Sequence, residues 1–150
     1  MGYIPQDCQW YIADLVMEIT VRGASSNVLH RNLTLIQANS PEEAYEKGMR
    51  FGYDGETSYI NPKEQLVEVR FRGIAKLDVI YDSLEDGAEL LFEERVGVSS
   101  EEIQRLIPKK EQLDVFVPPT PGRERDPDYR SKAVVDQALA TLKDLEDENQ

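Results

Sequence analysis

From Trp10 to Val21 the chain alternates with a period of two. Tyr11, Ala13, Leu15, Met17, Ile19 and Val21 are apolar, and Asp14, Glu18 and Thr20 stand between them. Only a β-strand sends successive side chains to opposite sides, so this run is a strand with one face against a core. The opposite face also carries Trp10, Ile12 and Val16. It is more apolar than a fully wet surface requires, and a tail or a second protomer is expected to cover part of it.

The residues that follow supply the neighbours such a strand needs. Arg22 to Ser26 is a turn-rich connection, after which Leu29, Leu33 and Leu35 repeat the period of two to about Ala38, making a hairpin. Ser40-Pro41-Glu42-Glu43 sets a capping serine, a proline at the first helical position and a glutamate able to reach back. Together they satisfy the backbone N–H groups that a helix start leaves open. This helix is expected to run to about Phe51, with Ala44, Gly48 and Phe51 on one face, and to stop at Gly52. Glycine is a poor helix former, so Gly48 implies a close approach of the helix to a sheet.

Tyr53 to Pro62 reads as a surface loop. Val67, Val69 and Phe71 give a third strand ending at Gly73, Leu77, Val79 and Tyr81 a fourth, and Leu90 and Phe92 a fifth. A short helix is expected from Ser99 or Ser100 to Ile107, with Pro108 ending it. The order implies an α+β fold, a mainly antiparallel sheet of about five strands with helices on one face, plus a C-terminal helical appendage. The expected organisation is a compact domain over residues 1–117, a Pro-rich charged linker over 118–128 and an amphipathic helix over 129–150. On that helix Val135, Ala138, Leu139 and Leu142 fall on one stripe, ahead of an acidic end.

Acidic residues outnumber basic ones 29 to 17, for a formal net charge of −12. Such a surface repels phosphate backbones, which argues against direct nucleic-acid binding, and it attracts a basic protein partner. No apolar run approaches the roughly 20 residues of a membrane-spanning helix. Residues 1–9 lack the basic-then-apolar pattern of a secretory signal, and Cys8, the single cysteine, offers no disulfide framework. These features point to a cytoplasmic protein.

The chemistry-bearing residues are sparse. One histidine, His30, and one cysteine do not make a zinc ligand set, and no EF-hand loop occurs, so neither metal nor cofactor is expected. No glycine-rich segment has phosphate-loop spacing and no serine elbow is present, which leaves no catalytic residue to name. Between Asp78 and Glu94 lie seven acids and no basic residue. They read as a solvated sheet edge blunted against aggregation, with Glu85 and Asp86 as candidate contacts for a basic partner. Arg70 and Arg72 share a strand face. They either form cross-strand ion pairs with Asp14 and Glu18 or, with Tyr53 and Tyr59, clamp an anion.

The segments Trp10-Tyr11-Ile12-Ala13, Ser40-Pro41-Glu42-Glu43-Ala44-Tyr45, Glu56-Thr57-Ser58-Tyr59-Ile60-Asn61-Pro62, and Leu77 through Gly87-Ala88-Glu89-Leu90 resemble the bacterial family catalogued as domain of unknown function 4288, over about residues 10–116. The resemblance implies a compact α+β unit and brings no activity with it. Two functions stay open. One is a non-catalytic protein-binding or regulatory module using the acidic surface, the sheet face or the C-terminal stripe (Val135, Leu139, Leu142), with a homo-oligomer among the outcomes. The other is a small-molecule or anion binder, or an enzyme, centred on Tyr53, Tyr59, Arg70 and Arg72.

Overall fold

The computed structural model describes residues 10–118 and 126–148. They form two compact units: residues 10–91 together with 126–148, and residues 92–118. The first unit contains β1 (Trp10–Val21), β2 (Val28–Gln37), α1 (Pro41–Asp54), β3 (Thr57–Ile60) and β4 (Leu66–Val79). Its strands pair antiparallel in the order β2-β1-β4-β3, which gives β1 a neighbour on each edge.

The odd-numbered row of β1 is buried as the alternation requires, with Tyr11, Ala13, Leu15, Met17, Ile19 and Val21 all at 5% exposure or less. Burying side chains of this size contributes about 1.5–3 kcal/mol for each of the larger ones. Ile36 joins them from β2, Ala38 from just beyond its end, Ala44 from α1 and Phe71 from β4. The helix starts where its cap dictates: Glu43 N donates to Ser40 Oγ at 3.1 Å. Glu43 Oε2 reaches back to Asn39 N at 3.1 Å, one residue earlier than a reciprocal box would place it. Gly48 lets α1 settle on the sheet, since a Cβ there would lie 3.0 Å from Ile74 Cδ1 and 3.3 Å from Ile36 Cδ1.

Four expectations need correction. The sheet has four strands, because the expected third and fourth are the one strand β4. Gly73, at φ 141°, does not end it; register shifts against β1 between Asp14 and Met17 absorb the irregularity as a bulge. The expected fifth strand at Leu90 and Phe92 is irregular and exposed, while the expected loop from Tyr53 to Pro62 contains β3. Finally, α1 continues past Gly52 to Asp54. Gly52 is a packing glycine, a Cβ there falling 2.4 Å from the Phe71 ring, and Gly55 is the C-cap.

The leucine row of β2 also settles. Leu33 lies opposite Asp14 and Leu35 opposite Ile12, so Leu29, Leu33 and Leu35 share the face turned away from α1, and all three are exposed. Facing α1 are Val28, His30, Asn32, Thr34 and Ile36. On the leucine face Arg31 pairs with the buried Asp14, and Arg72 with Glu18 at 3.4 Å. The cross-strand expectation therefore holds for Arg72, whereas Asp14 takes its arginine from β2.

The second unit is small. It holds α2 (Ser100–Arg105), capped by Ser99 Oγ accepting from Glu102 N at 3.3 Å, and two 3-10 turns at Lys110–Gln112 and Asp114–Phe116. None of these elements has a buried residue. The C-terminal helix α3 (Lys132–Glu148) belongs to the first unit. Cys8 and most of the Pro-rich run, residues 119–125, lie outside the described residues.

Candidate functional site

The β3–β4 turn is organised by one side chain. Asn61 is fully buried, and its Oδ1 accepts from Lys63 N at 3.0 Å and Gln65 N at 2.8 Å. Its Nδ2 donates to Gln65 Oε1 and to Asp128 O, each at 2.9 Å. The turn also places Glu64 in the left-handed region, at φ 61°. The last of the Asn61 bonds fastens a segment 67 residues away in sequence onto the hairpin.

Further contacts complete this latch. Tyr59 Oη donates to Tyr129 O, Lys132 pairs with Glu64, and Tyr129 meets the His30 ring edge-on with centroids 5.3 Å apart. Asp128 takes both guanidinium arms of Arg130, at 3.0 and 2.8 Å, and these bonds hold its carboxyl below the usual carboxylate range. Burial, with smaller contributions from Tyr129 and Asp128, raises the Tyr59 hydroxyl above its ordinary value. At neutral pH it is therefore a protonated donor, as the bond to Tyr129 O requires.

The helix rooted in this latch keeps most of its apolar stripe in solvent. Leu139 is 61% exposed and Leu142 59%, Val135 is half-buried, and no residue of α3 is buried. An isolated helix of this length is marginal in water, so its first turn draws support from the anchored residues before it.

A trough lies beside α1 on the helix-bearing face of the sheet. About 370 Å³ in volume, it has a floor of Leu15, Met17 and Ile19, a polar wall of His30, Asn32 and Thr34 from the edge strand β2, and Phe51 on the α1 side. Tyr129 flanks its His30 end. Toward the other end of β2, Lys47 Nζ of α1 donates to Gln37 O at 2.5 Å.

The residues singled out from sequence scatter. Tyr53 stands on α1 and packs edge-on against Phe71, 5.1 Å between centroids, and Tyr59 faces the same side of the sheet as Val67. Arg70 and Arg72 project from the opposite face, where they pair with Glu68 and Glu18. The sheet thus separates the tyrosines from the arginines and does not assemble them as a clamp. Glu85 and Asp86 are exposed in a turn closed by Ala88 N on Glu85 O at 3.0 Å. Sequence reasoning missed Asn61 and Asp128. The Asn61-Pro62 dipeptide signalled the turn, but nothing local signalled its distant partner.

Among the described residues no cluster of His, Cys, Asp and Glu is arranged to hold a metal ion, and no helix is long and apolar enough to cross a membrane. The family model described as Domain of unknown function (DUF4288) matches residues 10–92, one residue past the end of the first run of the larger unit and short of the residue 116 suggested by resemblance. No curated protein and no solved structure matches the chain.

Proposed function

The chain belongs to the DUF4288 family, and we propose that it is a non-catalytic protein-binding module whose contact element is α3. One observation carries this reading: Ala138, Leu139 and Leu142 of the stripe that begins at the half-buried Val135 are presented to solvent by a helix whose root is fixed to the sheet. An apolar stripe on a surface helix ordinarily faces a core, and one held out from a fixed root is arranged to meet another surface. Fixing the root also lowers the ordering entropy that association must overcome. The acidic loop with Glu85 and Asp86 adds long-range attraction for a basic surface and little affinity of its own.

The test is the double substitution Leu139→Asp, Leu142→Asp in the full chain. Circular dichroism and thermal unfolding should show the sheet domain unchanged. Self-association in light scattering, or capture of a defined partner in cross-linked pull-downs, should be lost. Retention of every association by the variant would remove α3 as the contact element.

A further inference from the structure

The two edges of the sheet are built differently. β3 is four residues long and carries Tyr59, whose hydroxyl is engaged by Tyr129 O, whereas β2 runs ten residues in unbroken register with β1. It contains no proline and no bulge, and Arg31 is the one Lys, Arg, Asp or Glu in it. Edge strands are ordinarily kept short or blocked with charge, proline or a bulge, so a long plain edge is a pairing surface unless something covers it.

The direction of its backbone groups follows from the ladder. Ile80 N donates to Trp10 O and Arg22 N to Leu66 O, so the even-numbered residues of β1 bond toward β4 and the odd-numbered ones toward β2. Those odd residues face Val28, His30, Asn32, Thr34 and Ile36, which leaves Leu29, Leu33 and Leu35 with N–H and C=O turned outward. Among the described residues no other backbone meets these three. Gln37 O lies on the same side, where Lys47 Nζ covers it, so the open stretch ends at Ile36.

An open edge is completed by another extended strand, and β2 is complementary to itself. Antiparallel pairing about a two-fold axis at Asn32 sets Leu29 opposite the partner's Leu35, Val28 opposite the partner's Ile36 and His30 opposite the partner's Thr34. Leu29, Leu33 and Leu35, 46 to 60% exposed in the single chain, then join the partner's leucines in one row on the face away from α1. Moving the axis to Arg31 would oppose two arginines, and moving it to Leu33 would part Leu29 from the partner's Leu35. With the axis at Asn32, Arg31 lies beside the partner's Leu33 while its charge stays with Asp14. The paired stretch, Val28 to Ile36, stops short of the residue that Lys47 covers.

From this self-complementarity we infer that the outer edge of β2 pairs with β2 of a second copy, making one sheet continuous across a two-fold axis. The assembly closes at two, because the edge left at either end is the short β3. A formal charge of −12 on each chain opposes the approach at long range, so added salt tightens the pairing. No residue of α3 takes part, and the inference is independent of the reading of α3 as the contact element for another protein.

Light scattering on the full chain should give twice the monomer mass, with a dissociation constant that falls as salt is raised from about 50 mM to about 0.5 M. Leu33→Pro removes an outward N–H and no bond to β1, and Leu33→Lys puts a charge on the edge; each should raise the dissociation constant by roughly tenfold or more. Where Leu33→Pro lowers the thermal midpoint, Leu33→Lys carries the comparison. Leu29→Lys and Leu35→Glu should each weaken pairing alone and form a heterodimer when mixed, since the two substitutions face each other across the axis. In a Cys8→Ser background, Asn32→Cys should oxidise to a dimer on a non-reducing gel, because the residues on the axis form a non-hydrogen-bonded pair with Cα atoms about 4.5 Å apart.

A full chain that is monomeric at every concentration overturns the pairing, as does a dimer indifferent to both Leu33 substitutions. Failure of the mixture to form a heterodimer overturns the Asn32 register. Loss of the dimer on Leu139→Asp with Leu142→Asp would assign self-association to α3, sinking the edge pairing and leaving the reading of α3 intact. Retention of the dimer by that variant supports the edge pairing, and its capture of other proteins then decides the role of α3 separately.

Discussion

Two helices of similar amphipathic design meet opposite fates in this molecule. On α1, Ala44, Gly48 and Gly52 are buried, and the two glycines let the helix axis approach Phe71, Ile74 and Ile36 closely enough to exclude water. The stripe of α3 consists of Val, Ala and Leu, a better helix-forming set, yet beyond the half-buried Val135 it is left in solvent. Packing is decided less by how apolar a stripe is than by whether its shape matches a surface within reach. Small residues brought α1 onto the sheet, while a short root bound to the β3–β4 turn keeps α3 off it.

The largest effect should come from breaking the turn that holds the α3 root. Asn61→Ala removes the acceptor for Lys63 N and Gln65 N and the donor to Asp128 O, and should cost about 3 kcal/mol in urea denaturation. Hydrogen exchange at residues 128–132 should accelerate at the same time. If exchange there is unchanged, the root is held by something other than this turn.

The contrast between the helices sharpens with a larger side chain on each. Gly52→Ala would set a Cβ against the Phe71 ring and should lower stability by about 2 kcal/mol. On α3, Ala138→Leu should leave the chemical midpoint within about 0.5 kcal/mol of the wild type. Equal effects at the two positions would contradict the opposite fates assigned to the helices.

Capping comes next. Ser40→Ala deprives Glu43 N of its acceptor and should cost about 1 kcal/mol, read from the denaturation midpoint.

The smallest effect is one of pH. Burial raises the folded pKa of Tyr59 above its unfolded value near 10, so its contribution is present in full below that value and is lost as pH rises through the folded pKa. The loss should amount to about 1 kcal/mol or less, because the hydroxyl is only partly withdrawn from water. Thermal midpoints of wild type and Tyr59→Phe measured from pH 8 to 11.5 should therefore converge at the alkaline end. A constant difference across that range would show that the bond to Tyr129 O does not depend on the proton.

Much of the architecture was legible because it is written in local chemistry. The alternation of β1, the serine cap of α1, the close-approach role of Gly48 and the stripe of α3 each depend on residues a few positions apart, and each is present. The errors fell where one local signal has two physical readings. Glycine at 52 and 73 permits termination or continuation, and only the ring of Phe71 and the bulge against β1 decide between them. Hydroxyl-rich Thr57 to Ile60 became a strand because the edge of β4 was there to pair with it.

By itself the sequence determined which segments extend, which coil and which side chains seek burial, since backbone sterics and apolar patterning act over a few residues. Tertiary structure alone decided that the leucines of β2 face away from α1, because the pairing with β1 fixes which side chains share a face. It likewise brought Asn61 to Asp128 and kept the tyrosines apart from the arginines. Those outcomes depend on which distant strand supplies the next hydrogen bond, a choice made by the energy of the whole sheet.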